Sequence, residues 1–295
     1  MTLHRPKGVI AAVPTPLDSA FQPDLEAFTE HCRWALENGC DALNVLGSTG
    51  EANSLPVAAR RKVMKSACEA LNGARMMVGA GAPDLETTVD LTRFAHECGF
   101  AAALVLPPWY YKPLTDDGLF AWFARLVEET SATPVAIYLY NYPQLTGIRF
   151  SEDLARRLSS AFPDRIAGMK DSSGDLDYAA AMAKIEDFDV FPSNEVALAN
   201  CDRDGYAGCI SATVNIDPAG SAALLADQEN SDLLGSVRHV RTTVSSFPLV
   251  PAVKYLVARR LGKPSAASPM PPFLPLTDDQ QADLVEQLER TPRAA

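Results

Sequence analysis

Lys170 closes the apolar stretch Arg165-Ile166-Ala167-Gly168-Met169-Lys170, immediately before the polar run Asp171-Ser172-Ser173-Gly174-Asp175. The stretch reads as a buried strand opening into a loop. An ammonium at that point must be desolvated, paired or used. Desolvation disfavours the charged form, and a neutral amine can attack a carbonyl to form a Schiff base. Tyr140 closes a second apolar run, Pro134-Val135-Ala136-Ile137-Tyr138-Leu139-Tyr140, thirty residues upstream. That interval is about one strand-helix unit, so the two side chains can end neighbouring strands on one rim of a sheet. Taken singly, Lys170 also fits a surface lysine at a strand terminus, and Tyr140 a core tyrosine with one hydrogen bond.

The elements that would position them are visible along the chain. Strand-like runs fall at about Gly8 to Val13, Ala42 to Leu46, Arg75 to Ala80, Ala102 to Leu106, Val135 to Tyr140, Ile166 to Lys170, Asp189 to Pro192 and Gly208 to Ala212. Amphipathic stretches lie between them, among them Asp24 to Glu37, Pro56 to Leu71, Leu85 to Cys98 and Asp116 to Thr130, with Pro56 and Asp116 as helix-start residues. A weak repeat around Gly39, Gly99 and Gly205 has the form of a helix end, a glycine cap and a small-residue entry into a strand. Continuous rather than alternating apolar strands indicate a parallel sheet covered on both faces. The fold class is therefore α/β, a (β/α)8 TIM barrel. An open doubly wound sheet is disfavoured, since no G-x-G-x-x-G follows the first strand and Gly79-Ala80-Gly81-Ala82 is too short for a dinucleotide fingerprint. The barrel, with the active site, is assigned to residues 1–230. Residues 231–295 form a C-terminal helical extension with helices at about Asp232 to Phe247, Pro251 to Leu261 and Thr277 to Arg290. The proline-rich stretch Ser268 to Pro275 reads as an extended arm across the barrel surface, and Pro292 to Ala295 as a frayed tail.

Composition narrows the function. The 295 residues suit a barrel of about 250 residues with additions. A net charge of −11 argues against a general nucleic-acid binder. The segment Met1 to Gly8 has no apolar h-region, and the apolar runs are strand-sized, so neither a secretory signal nor a membrane span is expected. Cys32, Cys40, Cys68, Cys98, Cys201 and Cys209 contain no C-x-x-C pair; they read as buried reduced thiols of a cytoplasmic protein. His4, His31, His96 and His239 lie far apart, which argues against a metal site built on them. Acid-base chemistry then falls to lysine, tyrosine, hydroxyls or carboxylates.

Barrel active sites lie at the C-terminal ends of the strands. The second strand ends in Gly47-Ser48-Thr49-Gly50-Glu51, whose amides and hydroxyls suit a small carboxylate as well as they suit an ordinary capped turn. The fourth ends in Pro107-Pro108-Trp109-Tyr110-Tyr111-Lys112-Pro113, aromatics that can wall a pocket, plug a loop or pack across a subunit interface. The eighth, Gly208-Cys209-Ile210-Ser211-Ala212-Thr213-Val214-Asn215, has small residues that allow close backbone approach to a ligand.

Taken together, Gly47-Ser48-Thr49-Gly50-Glu51, Tyr140-Asn141-x-Pro143, Gly168-Met169-Lys170-Asp171 and Gly208-Cys209-Ile210-Ser211 resemble the dihydrodipicolinate synthase / N-acetylneuraminate lyase family. The resemblance runs from Gly8 through the C-terminal helices. It implies a barrel with a helical extension, assembled as a tetramer (a dimer of dimers), with no metal or organic cofactor. By the same resemblance Lys170 is the Schiff-base lysine and Tyr140 relays protons. Ser48 and Thr49 form the keto-acid carboxylate pocket with Gly47 and the Ile210 backbone, and Tyr110 is contributed across a dimer interface.

Two departures from the family pattern bear on the substrate. Leu145 stands where dihydrodipicolinate synthases carry an arginine that binds the aldehyde partner's carboxylate, and an apolar side chain cannot replace that clamp. Glu195, followed by Val196, with Ala212 in place of a hydroxyl, leaves the polyol-binding set of the sialic acid lyases incomplete. The expected function is a class I lyase that makes or breaks a C–C or C–O bond beside a pyruvate-like 2-keto acid, foremost a 2-keto-3-deoxy sugar acid aldolase or dehydratase. The alternatives are 4-hydroxy-tetrahydrodipicolinate synthase and a non-catalytic keto-acid-binding barrel.

Overall fold

The structure, a computed structural model, describes residues 5–290. Residues 1–4, which include His4 and the first half of the N-terminal segment, and residues 291–295, which include the tail from Pro292, lie outside the described residues. Eight parallel strands are found: β1 Gly8–Ala12, β2 Ala42–Val45, β3 Met76–Gly79, β4 Ala102–Val105, β5 Ala136–Asn141, β6 Ile166–Asp171, β7 Asp189–Pro192 and β8 Gly208–Ser211. Their order is β7-β6-β5-β4-β3-β2-β1-β8. The amide of Ala207, just ahead of β8, donates to Val190 O of β7 at 2.9 Å and draws the two ends of the sheet together. This is the (β/α)8 barrel expected from the strand pattern.

Helices alternate with the strands: α1 Leu25–Glu37, α2 Val57–Ala70, α3 Leu85–Glu97, α4 Asp116–Glu129, then α5 Pro143–Thr146 and α6 Glu152–Ala161, α7 Leu176–Met182, α8 Cys201–Asp204 and α9 Pro218–Ala226. Their starts follow local chemistry. The side chains of Asp24, Asp84, Thr115, Ser151 and Asp175 each accept from an otherwise orphaned first-turn amide. The strands separate two cores. Ile10, Ala42, Met77, Leu104, Tyr138 and Ile210 fill the barrel, whereas Val9, Leu43, Val78, Val105, Ile137 and Cys209 face the helices.

β6 departs from simple alternation, and the site depends on it. Ile137 pairs with Ile166 but Tyr138 pairs with Gly168, so β6 carries one extra residue, Ala167. Ile166 belongs to the outer core, as does Met169, while Ala167 belongs to the inner one. Without the bulge, residues 168 and 170 would share the outward side of Ile166; with it, Lys170 aligns with inward Tyr140. Gly168 is needed there because a Cβ would lie 2.0 Å from Asp189 O and 2.8 Å from the Tyr138 ring.

The remaining helices are α10 Ser231–Ser245, α11 Leu249–Leu261 and α12 Asp278–Glu289, the last opened by a capping box between Thr277 and Gln280. They pack on an apolar cluster that includes Val244, Val253, Val257 and Leu284, with Ala212 from the barrel rim. The stretch 268–276 is irregular, and Met270 N reaches back to Glu51 Oε1 at 2.6 Å. All six cysteines are free; Cys68 and Cys98 are half-buried rather than buried. These two lie at the C-terminal ends of α2 and α3. Burial pushes the thiols of Cys32, Cys40 and Cys209 well up, which keeps them protonated.

Candidate active site

Tyr140 and Lys170 are direct register partners on β5 and β6. Both are almost wholly buried, at 3% and 4% exposure. Lys170 Nζ donates to Tyr140 Oη at 3.3 Å and lies 4.6 Å from the centre of the tyrosine ring. The same phenol oxygen is 3.2 Å from Ser48 Oγ, with either atom able to donate. The phenol thus stands between an amine and a hydroxyl, an arrangement suited to passing a proton between them.

The next register pair, Asn141 and Asp171, fixes the strand ends. Asn141 Nδ2 donates to Asp171 Oδ1 at 2.6 Å, and Asn141 Oδ1 accepts from Phe150 N at 3.2 Å. Ser173 donates to the same carboxylate through its amide and hydroxyl. Burial pushes the Asp171 carboxyl upward, opposed by the bonds from Asn141 and Ser173 and by the charge of Arg149. Two residues past Tyr140, the Tyr142 ring lies 5.8 Å from the Tyr140 ring.

Ser48 is held by an unusual loop. Leu46 and Glu51 take left-handed φ values of 54° and 53°, on either side of Gly47-Ser48-Thr49-Gly50. The loop lies so close to β3 that a Cβ on Gly79 would meet Leu46 O at 2.0 Å. Glu51 anchors its end from within: Lys254 Nζ of α11 is 2.5 Å from Glu51 Oε2, and these side chains are 0% and 1% exposed. Burial lowers the Lys254 pKa and the Glu51 carboxylate raises it again. With Met270 N on the other oxygen, the loop is tied to α11 and to the arm after it.

The structure brings together Lys170, Tyr140 and Ser48, with Gly47 and Thr49 flanking Ser48 in the chain and Ile210 in the same inner apolar cluster as Tyr140. It does not bring the other expected residues into that cluster. Tyr110 is 74% exposed, edge-on to Tyr111, and Leu145 on α5 is 64% exposed. Glu195 is buried with both carboxylate oxygens engaged. Oε2 accepts from Ser211 Oγ at 2.6 Å, and Oε1 accepts from Thr213 Oγ1. Arg241 of α10 donates to this group and to Ser193 O at 2.9 Å. Among the described residues no group of three or more His, Cys, Asp or Glu is placed to hold a metal.

Sequence reasoning missed Lys254 and Arg241. Lys254 had a usable signal, a charge inside the apolar run Val250 to Val257. Arg241 had none, because its partners come from β7, β8 and their loops.

Comparison with known proteins identifies relatives along nearly the whole chain. The pattern of the Dihydrodipicolinate synthetase family matches residues 5–291. An uncharacterised DapA-like lyase of Chloroflexus aurantiacus is 28% identical over 294 residues, covering 98% of each chain. A 4-hydroxy-tetrahydrodipicolinate synthase of Coxiella burnetii is 31% identical over 212 residues, 72% of this chain and 71% of its own. The crystal structure of dihydrodipicolinate synthase from Agrobacterium tumefaciens superposes with a TM-score of 0.89 at 29% identity, covering 97% of this chain and 99% of that one.

Proposed function

The chain belongs to the dihydrodipicolinate synthetase family and is a lyase, and from that premise we propose that it forms a Schiff base between Lys170 and a pyruvate-like 2-keto acid. The observation that carries the reading is the buried line Lys170 Nζ–Tyr140 Oη–Ser48 Oγ. The lysine amine adds to the C2 ketone, and the resulting carbinolamine loses water, its hydroxyl leaving with a proton delivered through Tyr140. The iminium takes up the electron pair when the C–C bond beta to it breaks, becoming an enamine; in the forming direction the iminium first loses a C3 proton, and the resulting enamine supplies the pair and returns to the iminium. No metal or organic cofactor is required, because the iminium is the electron sink. Ser48 and Thr49, with the Gly47 backbone, hold the substrate carboxylate, and the Ile210 backbone lines the pocket. Tyr110, exposed in the single chain, completes the proton relay at a contact between two copies in a homotetramer.

For the second fragment, Leu145 offers no guanidinium. This favours a 2-keto-3-deoxy sugar acid or related 2-keto acid over aspartate semialdehyde. The test compares two assays: pyruvate release from 2-keto-3-deoxy sugar acids, and condensation of pyruvate with aspartate semialdehyde. Efficient turnover in the second and none in the first overturns the ranking. Pyruvate binding without turnover in any assay would indicate a non-catalytic binder.

A further inference from the structure

Asn44 is buried inside the barrel with both ends of its amide idle. It is 0% exposed, and neither Nδ2 nor Oδ1 has a hydrogen-bond partner among the described residues. A buried polar group left unpaired costs stability, so a fold that keeps one calls for a reason. An amide offers both donors and an acceptor. It therefore complements a group that also accepts and donates, such as a hydroxyl or a water molecule.

Two observations aim this amide at the reacting amine. The first is the register. Asn44 stands two residues after inward-facing Ala42 on β2 and shares its face. A (β/α)8 barrel climbs about one residue per strand, so one interior layer takes a residue from every second strand, two positions further along each time. Ile210 pairs through Ile10 with Ala42, two before Asn44. Asn44 pairs through Met77 with Ala102, two before Leu104, and Leu104 pairs through Tyr138 with Gly168, two before Lys170. Ile210, Asn44, Leu104 and Lys170 therefore form one layer. In the ring, β2 and β6 have three strands between them on either side, so Asn44 and Lys170 stand on opposite walls. The second observation is the loop. A Cβ on Gly47 would meet Asn44 Nδ2 at 2.5 Å, so the amide lies against the glycine whose neighbour Ser48 touches the Tyr140 phenol.

We propose that Asn44 holds the oxygen that leaves when the imine forms. Addition of Lys170 to the keto acid gives a carbinolamine with a hydroxyl on C2. Asn44 Nδ2 donates to that oxygen, and Oδ1 accepts from its O–H. The C2–O bond then breaks with its electron pair going to oxygen, and the nitrogen lone pair closes the iminium. The proton from Tyr140 completes a water molecule, which keeps both bonds to the amide. Hydrolysis of the imine runs through the same place in reverse. The partner of the amide thus arrives with the substrate. The proposal rests on the Lys170 reading.

Asn44→Thr and Asn44→Val test it, since their side chains share one shape and differ in a hydroxyl that can donate and accept. The full chain and pyruvate are mixed and quenched with borohydride after increasing delays, and the peptide containing Lys170 is weighed. Asn44→Val should build up the imine about ten-fold more slowly than wild type. The final extent of labelling and the pyruvate concentration for half-maximal labelling should stay near the wild-type values. Asn44→Thr should recover part of the rate. A merely structural role, acting through the Gly47 loop, would instead raise the pyruvate requirement. In urea, Asn44→Val should unfold at or above the midpoint of Asn44→Thr, because it buries no polar group. Equal rates in the two variants, a changed pyruvate requirement at an unchanged rate, or a valine variant less stable than the threonine one overturns the proposal while labelling of wild-type Lys170 stands. A wild type that leaves Lys170 unlabelled sinks the imine reading and this proposal with it.

Discussion

Lys254→Met would strand the Glu51 carboxylate inside the protein. The pair is closed at 2.5 Å between side chains that are 0% and 1% exposed, so no solvent screening discounts the loss. Removing one member of a buried pair costs about 3–5 kcal/mol, because the remaining charge keeps its desolvation penalty. Glu51 Oε1 retains the Met270 amide, which places the expected cost near the lower end, about 3 kcal/mol. Urea unfolding monitored by circular dichroism measures it. Glu51→Gln/Lys254→Met should recover more than half of the loss, since the double replacement leaves no buried charge. A functional signature should accompany the single change. Glu51 ends the loop that carries Ser48 and Thr49, so the concentration of pyruvate needed for half-maximal imine trapping should rise. A single variant within about 1 kcal/mol of wild type, or a double variant worse than the single one, refutes the reasoning.

Three other outcomes are expected. His31 is fully buried, and burial chiefly, with the Arg260 charge, lowers its pKa to about 4, opposed by the bond to Asn215. Unfolded chains protonate at the usual 6.5 while the folded ring stays neutral, so its contribution is complete above pH 6.5 and is lost as pH falls towards 4. The loss totals on the order of 3 kcal/mol. His31→Gln should flatten that part of the stability–pH curve, and an unchanged difference curve would contradict it. Tyr140→Phe should lower turnover by roughly 10²–10⁴-fold while Lys170 remains in place, and a normal rate removes the phenol from the mechanism. Tyr110→Phe should slow turnover only if two copies meet there, so sedimentation that shows a fully active monomer would contradict that role.

The fold was largely legible because buried parallel strands are written as short apolar runs with caps between them. All eight strands begin and end within a residue or two of where the sequence places them. The meeting of Tyr140 with Lys170 was legible for the same reason, as one strand-helix interval between two strand ends. The bulge at Ala167 was not, because Ile166-Ala167-Gly168-Met169 has no polar residue to reveal which side faces inward. Yet that one residue decides whether Lys170 points into the barrel. Glu195 and Leu145 show the other limit. Their positions along the chain were clear, but what surrounds Glu195, and how far Leu145 stands out from the rim, depends on how α10 and α5 cross it.

Everything proposed for the reaction depends on the amine of Lys170 capturing a ketone. Incubation with pyruvate and sodium borohydride, followed by peptide mass spectrometry, asks this directly. The account requires a stable adduct on the peptide containing Lys170, heavier by pyruvate less one oxygen atom, and its absence in Lys170→Ala. An unmodified Lys170 under saturating pyruvate, or a label on another lysine that persists in Lys170→Ala, would contradict it.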